Sequence, residues 1–96
     1  MLAEFGVLQI SAGIDKNTGT LIQPVRLTAR GWFEGEQDRT VLEAVTNEVR
    51  SALEVALREG NRDEDALNKV GQRAAGRLLG QKYRRQPILL TAVVVL

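Results

Sequence analysis

The chain has 96 residues, 44% of them apolar and 26% charged, a formal net charge of +1, and neither cysteine nor histidine. That size and balance fit a single small globular domain spanning 1–96. The missing residue types exclude disulfides, thiolate metal sites, the usual zinc sites and any Ser-His or Cys-His nucleophilic machinery. The near-neutral balance gives no global pull toward nucleic acid, so any RNA role has to be local or borrowed.

Met1-Leu2-Ala3-Glu4-Phe5 has neither the basic region nor the long apolar stretch of a signal peptide. The longest apolar run, 88–96, is far short of the roughly 20 residues that span a bilayer. A soluble, cytoplasmic chain with no membrane partner is therefore expected. From Val7 to Asp15, Leu8, Ile10, Ala12 and Ile14 alternate with Gln9, Ser11 and Gly13, the period of a half-buried strand. Asp15-Lys16-Asn17-Thr18-Gly19 has hairpin chemistry and leads to a second alternation, Leu21, Val25, Leu27 and Ala29 against Arg26, Thr28 and Arg30. Pro24 cannot donate to a ladder, so this second strand is expected at an edge or bulged.

Thr40-Val41-Leu42-Glu43 has capping-box spacing and predicts a helix start. Val41, Leu42, Val45, Val49, Leu53, Ala56 and Leu57 then repeat at helical spacing until Gly60, placed as a glycine just past the helix end. A second helix is expected from Asp63–Asp65. Its apolar side is Leu67, Val70, Ala74 and Leu78, and the embedded Gly71, Gly76 and Gly80 imply close backbone approach. Lys82, Arg84 and Arg85 suit its C-terminal dipole and Pro87 stops it. The final run, 88–96, is apolar on both parities and β-branched, the pattern of a strand buried on both faces.

The order strand, strand, helix, helix, strand predicts an α+β fold, a two-layer ββααβ unit. A helical hairpin would cover one face of a three-stranded mixed sheet, with the last strand parallel to the first and beside it. Helices then cover only one face of a sheet whose last strand is apolar on both. A domain this small hides only about 60–65% of the surface of its unfolded chain, so cover from a partner would add to its stability. Leu89, Val93 and Val95 with Ile22, or else the opposite parity of the same strand, are the interface candidates. The alternative is that sheet twist and the stems of Arg26 and Arg30 hide these residues.

Arg77, Lys82, Arg84 and Arg85, with Tyr83 among them, are candidates for RNA contact, against the plain reading of cations stabilising a helix end. Asp63, Glu64 and Asp65 read as first-turn capping and dipole chemistry rather than a metal site. A KH-type RNA-binding module shares this order of elements. It needs a GXXG loop, and Glu59-Gly60-Asn61-Arg62-Asp63-Glu64-Asp65 offers one glycine among acids. No catalytic, cofactor-binding or metal residues are expected in the chain.

Three segments resemble the C-terminal domain of bacterial ribonuclease J, and together they extend the likeness over essentially the whole chain. They are Leu2-Ala3-Glu4-Phe5-Gly6-Val7 with Ile14-Asp15-Lys16-Asn17-Thr18-Gly19, then Ala29-Arg30-Gly31-Trp32, and finally Lys82-Tyr83-Arg84-Arg85-Gln86-Pro87-Ile88-Leu89-Leu90. Thr91 stands where the family usually has proline, Val95 lies near a usual acid, and Tyr83 replaces a common threonine. The resemblance implies a fragment of a longer chain, with Met1 an added start codon or a native one. It implies a parent that is a metallo-β-lactamase/β-CASP ribonuclease, processing and degrading RNA by 5′-to-3′ exonucleolytic and endonucleolytic cleavage. Two zinc or manganese ions held by a His-x-His-x-Asp-His run would activate water there, and a chain without histidine cannot contain that run. The implied role of this domain is oligomerisation into a homodimer or homotetramer, or contact with the catalytic domains of the same chain, with RNA reached through the parent enzyme.

Overall fold

A computed structural model describes residues 6–30, 36–84 and 87–96, including the side chains of all but 36–38. Met1, then Leu2–Phe5, Gly31-Trp32 and Arg85-Gln86 of the resembling segments, and Arg85 among the RNA candidates, lie outside the described residues. The elements are β1 (Val7–Asp15), β2 (Thr20–Leu21), β3 (Arg26–Arg30), α1 (Glu36–Arg58), α2 (Glu64–Lys82) and β4 (Ile88–Val95).

β1 turns into β2 through an Asx turn. The Asp15 carboxylate accepts the N–H groups of Asn17 at 2.8 Å and Thr18 at 3.3 Å, and Gly19, at φ 68°, donates its N–H to the Asp15 carbonyl at 2.8 Å. A Cβ at Gly19 would collide with the Arg62 guanidinium, which donates to the carbonyls of Leu57 at 2.8 Å and Asn61 at 3.1 Å. Gly19→Ala is therefore expected to destabilise the fold by about 1–2 kcal/mol, from the positive φ and the displaced arginine. A thermal melt should show it as a fall in midpoint of roughly 5–10 °C.

The expected second strand is broken into β2 and β3 by residues 22–25, so the sheet has four strands rather than three. Both pieces pair antiparallel with the same edge of β1, in the registers Ile14↔Leu21 to Asp15↔Thr20 and Val7↔Arg30 to Ser11↔Arg26. Pro24 sits in the gap, where no ladder donor is required of it. β4 lies parallel to β1 on the other edge, from Val7↔Ile88 to Ile14↔Val95, as the sequence predicts.

α1 begins at Glu36, a turn before the Thr40 capping box, which lies inside the helix. Residues 36 and 38 are acids, the type that the helix dipole favours in a first turn. Its end has the predicted form. Gly60, at φ 91°, donates to the Leu57 carbonyl at 3.0 Å and Asn61 to that of Ala56 at 3.0 Å, the paired bonds of a Schellman motif. Asp63 then caps α2 by accepting the Ala66 N–H at 2.9 Å.

Leu8, Ile10 and Ile14 of β1 and Val93 of β4 meet Val45, Val49 and Leu53 of α1 and Leu67, Ala75 and Leu79 of α2 in one core. On α2 the buried side falls at Leu79, while Leu78 is half-buried. A methyl placed on Gly71 would lie 3.7 Å from Val49 Cγ1, and one on Gly76 3.5 Å from Leu89 Cδ1, ordinary packing distances to side chains, so the close backbone approach expected at these glycines is not found. Nor is it found at Gly80.

Candidate association surface

β4 is not buried on both faces. Its odd-numbered residues face the helices, and Val93 is only 1% exposed, whereas the even-numbered ones lie on the open side of the sheet. Of the large aliphatic residues left exposed among the described ones, only Val55 lies outside this surface. Ile22 is 49% exposed, Leu90 51%, Val94 44% and Leu96 70%, with Ile88 beside them. The apolar stripe therefore belongs to the opposite parity. Leu89 and Val95 are half-buried on the core side with Val93, and of the named interface candidates Ile22 alone lies on the open surface. The arginine stems do not hide this stripe: Arg26 and Arg30 project from β3 on the far side of β1, which makes that half of the face polar and basic. A shallow groove lined by Ser11, Gly13, Pro24, Arg26, Val94 and Leu96 joins the two halves.

α2 runs beside the outer edge of β4 and closes part of it. Asn68 makes a two-way bond to Val93, its Nδ2 donating to the carbonyl at 3.0 Å and its Oδ1 accepting from the N–H at 2.8 Å. Glu64 accepts the Val95 N–H at 2.9 Å. These bonds satisfy ladder groups of an edge strand that would otherwise point into water or at another chain. Sequence reading gave Glu64 only a role in its own helix and passed over Asn68. Their partners lie 31 and 25 residues away, and no local spacing signals such a bond.

Arg77 and Lys82 come together on the outer side of the helical hairpin. They line a groove with Arg73 and Glu48 over an apolar floor that includes Val70 and Leu78. Lys82 Nζ lies 5.7 Å from the Tyr83 ring centroid, and Arg84 follows, exposed, with a φ of 53° that turns the chain toward β4. The basic cluster and the apolar stripe are separate surfaces. Asp63 and Glu64 serve as caps, and among the described residues no group of three acidic side chains is placed to hold a metal ion. The residues present do not fit the two-metal centre that the resemblance implies for the parent. No helix among the described residues is long and apolar enough to cross a membrane.

The sequence profile of the family described as Ribonuclease J C-terminal domain matches residues 1–96. Over 94 residues, 98% of the chain, the sequence is 28% identical to a ribonuclease J of Mycolicibacterium smegmatis. Over 93 residues, 97% of the chain, it is 27% identical to a ribonuclease J of Corynebacterium glutamicum. The chain spans 16% of the length of the first and 13% of the second.

Proposed function

Because the chain belongs to the ribonuclease J C-terminal domain family, we propose that it is a non-catalytic accessory domain that holds copies of a ribonuclease J-like protein together through the open side of its sheet. In this reading the cleavage of RNA, and the two zinc or manganese ions that support it, belong to the catalytic domains of the parent. This domain acts by setting quaternary structure.

The observation that carries the reading is the exposed stripe of Ile22, Ile88, Leu90, Val94 and Leu96 on an otherwise well-packed domain. Fully burying one such side chain is worth about 1.5–3 kcal/mol, and association has to offset about 4–15 kcal/mol of lost freedom. A single exposed leucine cannot do this. A stripe contributed by both copies can. The test is a titration of fluorescently labelled chain with unlabelled chain, followed by anisotropy. A saturable rise supports self-association, and a flat response up to high micromolar concentration assigns the stripe to the parent's own catalytic domains.

A second reading rests on the groove that brings Arg73, Arg77 and Lys82 together, with Arg84 beyond it. These cations could hold RNA phosphates beside the catalytic domain. Under the association reading, the double variant Arg77→Glu with Arg84→Glu leaves self-association unchanged, since neither residue lies on the open face. A large loss of affinity for single-stranded RNA with an unchanged oligomer would make RNA contact the domain's role instead.

A further inference from the structure

The outer groove of the helical hairpin has a chemistry that the open sheet face does not share. Its floor is apolar, with Ala52 of α1 set against Val70, Ala74 and Leu78 of α2. Val55 extends that floor along α1: it follows Ala52 by three residues and Glu48 by seven, so the three share one side of the helix. It is 47% exposed, and among the described residues it is the one large exposed aliphatic away from the sheet face. On the α2 side Arg73 and Arg77, four residues apart, make a basic rim that ends in Lys82. From Val70 to Lys82 the groove follows α2 for about 18 Å, the length of roughly three to four helical turns.

We propose that this groove receives an amphipathic helix of a partner protein that carries carboxylates along one flank, laid on the hairpin as a third helix. The apolar side of that helix covers Val55, Val70 and Leu78. Acids at i and i+4 on its flank meet Arg73 and Arg77, whose own spacing matches theirs. Glu48 on the opposite wall favours a cation on the other flank and so fixes which way round the helix lies. An RNA backbone is the other occupant a basic rim would suit, and the walls speak against it. Phosphates gain nothing by covering an apolar floor, and Glu48 repels them. Single-stranded bases are held by stacking, and none of the residues lining the groove is aromatic. Docking here is independent of self-association, because neither rim lies on the open face of the sheet.

The test titrates the 96-residue chain into a labelled peptide of about four helical turns, with leucines at i, i+3, i+4 and i+7 and glutamates along one flank, followed by anisotropy. Saturable binding is expected, at least about tenfold tighter than that of the same peptide with lysines in place of the glutamates. That comparison needs no variant. Arg73→Glu with Arg77→Glu, both at exposed positions, should keep a cooperative melt and reverse the preference between the two peptides. Val55→Ser should weaken the glutamate peptide roughly fivefold through the lost apolar cover. Absence of saturable binding, equal binding of the two peptides, or a folded Val55→Ser that binds like the wild type would each overturn the proposal. So would an oligouridine that binds more tightly than the glutamate peptide, is lost in the double variant and is indifferent to Val55→Ser, which would assign the groove to RNA.

Discussion

Val93→Asp is expected to abolish the cooperative unfolding transition of the domain, while Val94→Asp, one residue along, leaves it folded. Val93 is 1% exposed and sits in the core with Leu8, Ile10 and Leu67, whereas Val94 is 44% exposed on the open face. A carboxylate at 93 loses the burial of the valine, about 1.5–3 kcal/mol, and adds a desolvation penalty of several kcal/mol more. A domain of this length has a net stability of about 5–14 kcal/mol, so the sum removes most or all of it. At 94 the charge stays in water, and a change within about 0.5 kcal/mol is expected. Thermal melts by circular dichroism separate the two. A stable Val93→Asp protein would mean that the parity of β4 is the reverse of that described.

Leu90→Asp is expected to have the largest effect on association with the least effect on folding. Leu90 is 51% exposed in the single chain, so its loss costs the monomer little. On the open face it stands in the stripe proposed as the contact, and the substitution removes an apolar side chain from each copy while adding a carboxylate to each. Covering the exposed half of one leucine on each copy is worth about 1.5–3 kcal/mol together, so a weakening of roughly ten- to a hundredfold follows from the apolar burial alone. Added salt should restore part of the repulsive share, because exposed charges are screened, but none of the apolar share. The anisotropy titration reads both. A Leu90→Asp protein that associates like the wild type would remove β4 from the contact.

Much of the fold was legible because its signals are local. The alternation of Leu8, Ile10, Ala12 and Ile14 names the buried side of β1 without ambiguity, and these are the residues found in the core. Gly60 marks the end of α1 because only a residue tolerant of positive φ suits that turn. Pro24 announces an interrupted edge strand by lacking a donor. The last strand carried no such mark. With apolar residues at both parities from Ile88 to Val95, nothing in its own composition says which side faces the helices, and only the register Leu8↔Leu89 decides it. That is why the sequence leaves two stripes open, Leu89, Val93 and Val95 or the opposite parity of the same strand, and the structure puts the first on the core side, with Ile88, Leu90 and Val94 on the open face. The edge caps were illegible for a related reason. Glu64 and Asn68 look like ordinary exposed helix residues until the packing of α2 on β4 brings them to Val95 and Val93.

The basic groove shows the converse. Arg77 and Lys82 are legible as cations near a helix end, and Arg73, four residues before Arg77 on α2, shares its face, while α1 supplies the opposite wall of the groove through Glu48 and Ala52. Its apolar floor and mixed rim distinguish it from the open sheet face, and substitutions in one surface should leave the other unaffected.

Sedimentation equilibrium of the 96-residue chain over a wide concentration range tests the central claim most directly. The account predicts a reversible monomer–dimer equilibrium, with Leu90→Asp shifted to monomer and Val94→Asp weakened. A wild-type chain that stays monomeric at the highest concentration would contradict self-association as the work of this domain.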